Sequence, residues 1–336
     1  MSDRYLRQTT LIGDEAQEKL RAAHVAVIGA GGLGSPALLY LAAAGIGRIT
    51  LFDDDVVDLS NLHRQVIHTT NRVGEPKVDS AIEALSALNP DTQITPVKER
   101  LTWDTALEQL QGADVVLDGT DNFATRHIAS HAAARLGIPH IWGSILGFEA
   151  QMSVFWAGHG PVYEDLFPAP PPPGSVPSCS QAGVLGPLVG VVGSAMAMEA
   201  MKYLTGVGTP LVGQLGYYDS LAGTWEYIPL APDPAVTARV LAEAPPQGPA
   251  EVDQLTAGAT LIDVREPAEF ATTHLPGAIN VPLGVILDGY TPPELENGGV
   301  LICASGVRSA QAVAALNARG IRGVASLRGG MERVAR

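Results

Sequence analysis

VAVIGAGGLGSPALLYLAAAGIGRITLFDDDVVDLSNLHR, residues 25–64, is the stretch on which the reading of this 336-residue chain turns. A short apolar run at 25–28 precedes Gly29, Gly31 and Gly34 at G-x-G-x-x-G spacing, with Gly32 among them, and a small-residue helical pattern continues to Ala44. Strand, tight turn and helix in that order leave the first helical amides without acceptors, facing whatever anion lies on the turn. A second apolar run, 49–52, ends in Asp53, Asp54 and Asp55. An acid at a strand end roughly 20 residues past such glycines is where a nucleotide ribose is gripped. The stretch predicts a nucleotide site. Glycine spacing alone suits a nicotinamide dinucleotide as well as ATP, so the choice rests on the residues beyond Asp53.

Those residues are Ser60, Asn61, Leu62, His63, Arg64 and Gln65, with Lys77 further on. Hydride transfer needs a neutral nicotinamide slot and few cations, whereas three phosphates need several. Arg64 and Lys77 suit phosphate neutralisation, and Asp121, in the run Asp118-Gly119-Thr120-Asp121-Asn122, suits Mg²⁺. The alternatives are plain surface cations and, for Asp121, a cap on a helix beginning near Phe123.

Outward from this stretch, residues 3–23 carry a helical pattern headed by two arginines, Arg4 and Arg7. Pro76 suits the first turn of a helix running to about Leu88. Strands at 94–97, 114–117 and 139–142 alternate with helices at 104–110 and 123–136, which predicts a Rossmann-like, mostly parallel, doubly wound sheet with its site at the strand carboxyl ends. From Gly147 the rhythm changes to strands without helices between them, 151–156, 216–218 and 224–229, an antiparallel extension. Residues 167–178 are too proline-rich for helix or central strand and lead to Cys179, ahead of an apolar helix at 183–204. Small residues and prolines at 231–250 read as a linker. The remaining residues, 251–336, have an α/β pattern of their own, with strands at 261–262 and 300–302 and a helix at 308–319.

Composition narrows the classes. A formal charge of −14 disfavours nucleic acid and anionic membranes as partners. The segments 25–47 and 182–198 lack charges, but the first is cut by its glycine turn, and both read as buried strand and core helix rather than membrane spans. MSDRYLRQ has no apolar core of a secretory signal. With two cysteines, Cys179 and Cys303, the chain reads as cytoplasmic and cannot build a four-thiolate zinc site.

RYLRQ, GAGGLG, LFDDDVVDLSNLHRQ, VGEPKV, LDGTDN and AGVLGPLVGVVGSAMAMEAMK together resemble the ThiF/MoeB/HesA family of ubiquitin-activating-like enzymes over about residues 4–230. The resemblance implies ATP-dependent adenylation of the C-terminal Gly-Gly carboxylate of a ubiquitin-like sulfur carrier protein. It implies that Gly32 and its neighbours lie on the nucleotide, Asp53 takes the ribose, Asn61, Arg64 and Lys77 face the phosphates, and Asp121 holds Mg²⁺, with Asn122 beside it. It further implies a homodimer in which Arg7 reaches the partner's ATP site. Family members commonly hold zinc with two C-x-x-C pairs; here Pro161-Val162-Tyr163-Glu164-Asp165 and Asp233-Pro234-Ala235-Val236 carry no thiol, so no structural zinc is expected. His127 and His131 share a helix face and read as surface residues. Cys179 lies where relatives carry a loop cysteine, and its position before a helix favours a nucleophile over a buried apolar residue.

Cys303-Ala-Ser-Gly-Val-Arg308 follows a buried strand and precedes a helix, so that loop amides, helix start and the charge of Arg308 stabilise a thiolate or persulfide there. With Asp263-Val-Arg265-Glu-Pro-Ala-Glu-Phe270, His274-Leu-Pro-Gly-Ala-Ile-Asn-Val-Pro282 and Leu327-Arg-Gly-Gly-Met331, this loop resembles rhodanese-type sulfurtransferases over about 250–336. Related phosphatases set five residues between Cys and Arg; this chain has four, which favours sulfur transfer. The combined expectation is residues 1–230 adenylating a carrier and 251–336 supplying sulfur from a persulfide or thiosulfate donor. The competing readings are an NAD-dependent oxidoreductase, against which Arg64 and Lys77 count, and a non-catalytic carrier-binding scaffold.

Overall fold

The computed structural model describes residues 3–176, 182–246, 248–256 and 258–334. The chain forms two compact units, Met1–Ala169 with Ser178–Pro245, and Pro170–Pro177 with Pro246–Arg336. In the first, α1 (Leu6–Ile12) and α2 (Asp14–Ala22) are separated by Gly13, so the expected 3–23 pattern is two helices. Then come β1 (His24–Ile28), α3 (Gly34–Ala44), β2 (Arg48–Phe52), α4 (Lys77–Leu88), β3 (Gln93–Val97), α5 (Trp103–Gln109), β4 (Val115–Asp118), α6 (Phe123–Leu136) and β5 (His140–Leu146). The antiparallel part follows with β6 (Glu149–Phe155), a short α7 (Tyr163–Leu166), α8 (Gly186–Thr205), β7 (Gln214–Asp219), β8 (Thr224–Pro229) and α9 (Pro234–Ala242).

These strands make one sheet in the order β3-β2-β1-β4-β5-β6-β7-β8. The first five are parallel, and β6 to β8 join antiparallel. β1 and β4 are buried along their whole length, which is why 25–28 and 115–117 read as unbroken apolar runs. The chain leaves β3 at the sheet edge and returns on the other side of β1 as β4, so the carboxyl ends of β1 and β4 flank the topological switch point where such sheets bind ligands. Ile28 there pairs with both Phe52 and Asp118. Gly119 N donates to Ile28 O at 2.9 Å.

The charge-poor α8 is held by close backbone approach. A Cβ on Gly193 would lie 2.3 Å from Leu33 O, and one on Gly186 would lie 2.2 Å from His63 O. Its Val189, Val192 and Met196 join the core under the sheet. No described helix is long and apolar enough to cross a membrane.

Two further elements of this unit differ from expectation. β5 continues past Trp142 to Leu146, where Gly147, at φ 61°, turns it into β6. Residues 231–250, expected as a linker, contain α9, because Val236 and Val240, one turn apart, cover Ala134 and Val162. Pro234 opens that helix, where a missing N–H costs nothing, and Asp233 caps it through Ala235 N at 2.8 Å.

The second unit contains β9 (Glu251–Val252), β10 (Leu261–Asp263), α10 (Pro267–Thr272), β11 (Ile279–Asn280), α11 (Leu283–Leu287), β12 (Gly299–Ile302), α12 (Val307–Ala318), β13 (Val324–Leu327) and α13 (Gly330–Val334). Its sheet is parallel throughout, in the order β11-β10-β12-β13-β9. A buried Asp263–Arg265 pair closes the end of β10.

Candidate functional site

The glycines of the turn have different jobs. Gly29, at φ 98°, donates to Phe52 O at 2.7 Å. A Cβ on Gly34 would fall 1.8 Å from Gly29 O, so only glycine lets α3 start so close to β1. Gly31 and Gly32 are looser: a Cβ there would meet Gln65 Nε2 at 3.7 Å and Val189 Cγ1 at 3.3 Å. No side chain caps the start of α3; Ser35 N already donates to Gly31 O at 2.9 Å and Pro36 has no N–H, so it is the turn amides ahead of them that face a ligand. The Gln65 side chain lies against this turn, buried, with Oε1 lacking a partner. That buried carbonyl is an acceptor which the protein's own donors leave unsatisfied beside the turn.

Asp53 ends β2 and ties it to the turn, with Oδ2 accepting from Ala30 N at 2.8 Å and Oδ1 from Asp55 N at 2.9 Å. Burial pushes its pKa up, opposed by the Lys77 charge and these two amides. Lys77 is itself buried and its Nζ lies 2.9 Å from Asp55 Oδ2. Burial acts to depress the ammonium, but Asp53, Asp55 and Asp121 together outweigh it and hold its pKa above the ordinary lysine value. Three carboxylates around one buried ammonium leave this corner negative.

Residues 58–65 wind tightly beside it. Asp58 Oδ1 accepts from Ser60 N and Oγ, and Asn61 O accepts from Arg64 N and Gln65 N. Leu62 N donates to Leu59 O within this turn. Arg64 Nη1 reaches Ser60 O at 3.1 Å and His63 Nε2 at 2.8 Å, so its guanidinium folds along its own segment.

The Asp121 loop is pinned from both sides. Asp118, fully buried, accepts from Thr120 N at 2.9 Å and Thr120 Oγ1 at 2.7 Å, while Arg126 Nη2 donates to Thr120 O at 2.8 Å. His140 Nε2 donates to Asp118 Oδ2 at 3.0 Å. Burial disfavours the Asp118 charge, yet the His140 contact, Arg126 and Thr120 hold its pKa below the usual carboxylate value. Asn122, not Asp121, caps α6, accepting from Thr125 N at 2.9 Å, which leaves the exposed Asp121 carboxylate unused by the helix.

The remaining sites divide. Arg7 is exposed on α1. Cys179 lies outside the described residues. His127 and His131, expected on a helix surface, are buried: His127 Nδ1 is 2.7 Å from Glu164 Oε1, and Ser130 Oγ donates to Oε2 at 2.7 Å. Polar histidines suggest a wet face, but α7 covers it and brings the carboxylate. Burial holds the His131 pKa down. Where thiols are missing, Asp165 joins the two segments through hydrogen bonds, accepting from Val162 N at 2.8 Å and Asp233 N at 2.9 Å.

In the second unit, Cys303 sits at the end of β12, buried, with Gly306 N donating to Sγ at 3.1 Å and Ser309 Oγ at 3.4 Å. Gly306 has φ 92°, and a Cβ there would meet Gly329 N at 3.0 Å. Ser309 Oγ is also 2.8 Å from Ser326 Oγ, so a hydroxyl pair lies behind the sulfur. Arg308 stands on the first turn of α12, but its guanidinium forms a bidentate pair with Glu269 of α10.

Against known families, residues 5–238 match the ThiF family and residues 248–336 match the rhodanese-like domain. The chain belongs to the ThiF family. It also carries a rhodanese-like domain, in line with the Cys303 loop. It is 42% identical, over 98% of its length and 91% of the relative's, to a protein of Mycobacterium tuberculosis named probable adenylyltransferase/sulfurtransferase MoeZ. It is 49% identical, over 69% of its length and 88% of the relative's, to the sulfur carrier protein adenylyltransferase of Thermus thermophilus. The adenylyltransferase and sulfurtransferase MOCS3 of Aedes aegypti is 37% identical over 92% of this chain and 80% of that one. Among solved structures, Escherichia coli MccB with MccA-N7isoASN overlays 70% of this chain and 74% of that one with a TM-score of 0.63 at 20% identity, a likeness of fold.

This ThiF-family chain holds four side chains that sequence reasoning does not single out. His68 is buried and joins the glycine turn to α4, with Nε2 donating to Ala30 O at 3.0 Å and Nδ1 near Ser80 Oγ at 2.9 Å. His140 and Arg126 support the Asp121 loop from residues that read as strand and helix interior. Glu269 lies inside the run from Asp263 to Phe270 with nothing local to mark it out. A lone histidine in an apolar context is the one signal available for His68 and His140.

Proposed function

We propose that the first unit adenylates the C-terminal Gly-Gly carboxylate of a ubiquitin-like sulfur carrier and that the second supplies the sulfur. The observation that carries this is that one chain holds both a glycine turn without a side-chain cap, beside Asp53, Lys77 and Gln65, and a buried cysteine whose Sγ accepts from Gly306 N. Gly29, Gly31, Gly32 and Gly34 give the triphosphate close backbone approach, and Asp53 takes the ribose. Ser60, Asn61, Leu62, His63, Arg64 and Gln65 line the nucleotide, with Arg64 and Lys77 toward the phosphates.

Mg²⁺ fits this site. Asp53, Asp55 and Asp121 outnumber the buried cation, so a polyphosphate gains from bringing a divalent metal, and Mg²⁺ usually takes only one or two carboxylates beside phosphate and water. Asp121, with Asn122 fixing the loop behind it, would hold that ion. When bound, it neutralises charge that builds on the departing pyrophosphate.

The carrier carboxylate attacks the α-phosphorus and expels pyrophosphate, giving an acyl-adenylate. The terminal sulfur of a Cys303 persulfide attacks the acyl carbon and expels AMP. In the resulting acyl disulfide the Cys179 thiolate attacks Cys303 Sγ, the S–S bond breaks and the thiocarboxylate leaves with the bonding pair; an external thiol then reduces the Cys179–Cys303 disulfide. The Arg308 charge lies beside the sulfur loop. Arg7 completes the ATP site of a second copy in a homodimer, and the enzyme works in the cytoplasm, in molybdenum-cofactor, thiamin, cysteine or tRNA-thiolation chemistry.

The test is carrier-dependent exchange of labelled pyrophosphate into ATP. Exchange should need Mg²⁺ and drop by about 10²-fold or more in Asp121→Ala. Unchanged exchange in that variant removes Asp121 from the site.

A further inference from the structure

The Cys303 loop has a cation, and a neighbouring helix neutralises it. Arg308 commits both terminal nitrogens to Glu269, Nη1 to Oε2 at 2.6 Å and Nη2 to Oε1 at 2.8 Å. Glu269 is fixed in turn, because its Oε2 accepts from Glu266 N at 3.2 Å across the first turn of α10. The adjacent Arg265 is locked onto Asp263 through three contacts between 2.7 and 3.1 Å. Each pair sums to zero, and the Glu266 carboxylate, also felt by Arg308, adds negative charge. At the sulfur itself the described polar contacts are one donating backbone amide and one hydroxyl oxygen at 3.4 Å, and neither is a cation.

We propose that Glu269 selects the sulfur donor: by holding Arg308 in a bidentate pair it disfavours a small dianion such as thiosulfate and favours a persulfide carried on a thiol. The proposal rests on the sulfurtransferase reading of Cys303 and names its substrate class. Glu269 touches neither sulfur nor donor, so it is a specificity residue acting through Arg308.

The two donors make different electrostatic demands. With thiosulfate, the Cys303 thiolate attacks the sulfane sulfur, the S–S bond breaks, and sulfite leaves as a dianion with the bonding pair. Three negative charges then meet at one loop, and stabilising them takes a cation free to bind oxygen anions. With a hydropersulfide, R–S–SH, the thiolate attacks the terminal sulfur and R–S⁻ leaves, the proton staying on the new Cys303 persulfide. The donor brings no charge of its own and the single charge of the thiolate departs on R–S⁻, so the loop holds one negative charge throughout, which the Gly306 amide accommodates. To serve thiosulfate, Arg308 must leave Glu269 or share it. The Arg308 contact holds the Glu269 pKa down at about 2, so the pair stays charged throughout the neutral range.

The experiment measures thiocyanate formation by the full chain with cyanide as acceptor and either thiosulfate or benzyl hydropersulfide as donor. Cys303→Ala supplies the uncatalysed background. Glu269→Gln should raise kcat/KM for thiosulfate about tenfold while the hydropersulfide value shifts less than about threefold. The gain should shrink with added salt and be absent in Glu269→Asp, which retains the charge. A parallel fall for both donors, a parallel rise, or an unchanged ratio overturns the proposal. Should Glu269→Gln fail to fold, the unaltered chain decides: it must prefer hydropersulfide by at least about 100-fold in kcat/KM, and parity overturns the proposal. Transfer from neither donor above the Cys303→Ala background brings down the sulfurtransferase reading, and the proposal with it.

Discussion

The two candidate sites are both strand–turn–helix loops, yet they treat their cation in opposite ways. At the glycine turn, Lys77 is buried among Asp53, Asp55 and Asp121, more negative charge than it can cancel. At the Cys303 loop, Arg308 is half-exposed and matched one-to-one by Glu269. The first arrangement suits a highly charged ligand that arrives with a divalent metal. The second suits a sulfur that arrives with little charge. A turn supplies amides in both places, and the surrounding carboxylates decide which anion is welcome.

The sharpest way to break the comparison is steric. Gly34→Ala drives a methyl to 1.8 Å from Gly29 O. It should cost the first unit about 3 kcal/mol or more and abolish ATP binding, while thiocyanate formation at Cys303 persists. Denaturant unfolding of the full chain, read beside both activities, checks this. Loss of both together would show that the two units do not fold independently.

Charge comes next. Lys77→Met should lower pyrophosphate exchange by about 10²- to 10³-fold and leave sulfur transfer from hydropersulfide unaltered. A smaller effect, about tenfold in kcat with little change in the KM for ATP, is expected of His140→Phe, which takes a donor from Asp118 and loosens the Asp121 loop. His140→Asn or Gln should recover part of it, whereas a raised KM with unchanged kcat would contradict the positioning role.

Much of the fold and of both sites is legible in the sequence, and the reason is local. Gly29, Gly34, Asp53 and the Cys303 loop are dictated by backbone geometry within a few residues, and β1, β2 and β4 announce themselves because they are buried along nearly their whole length. The illegible parts depend on distant partners. The polar pattern of α6 gives no sign that Glu164 covers His127 and His131. The prolines around 231–250 hide α9, whose stripe of Val236 and Val240 has meaning only against Ala134 and Val162. Glu269 and Arg308, 39 residues apart, become a pair only through the fold.

Acid sharpens the contrast further. Burial lowers the pKa of His24, His68 and His131, all in the first unit. Between their folded values and the ordinary 6.5, the unfolded chain binds protons that the fold does not, so stability is complete above about pH 6.5 and declines as the pH falls below it. The first unit should therefore lose thermal stability on going from pH 7 to pH 5, and His68→Gln should flatten that slope. The smallest effect is expected from Asp165→Asn, about 1 kcal/mol, as the hydrogen bonds to Val162 N and Asp233 N weaken.

Whether one chain joins adenylation to sulfur transfer is tested most directly by intact-mass analysis of a carrier. A small protein ending in Gly-Gly, incubated with the full chain, ATP, Mg²⁺ and a hydropersulfide donor, should gain about 16 Da as oxygen is exchanged for sulfur at its C-terminal carboxylate. The gain should vanish without ATP and in Cys303→Ala. A carrier that stays at its original mass, or gains sulfur without ATP, would contradict the coupling of the two sites.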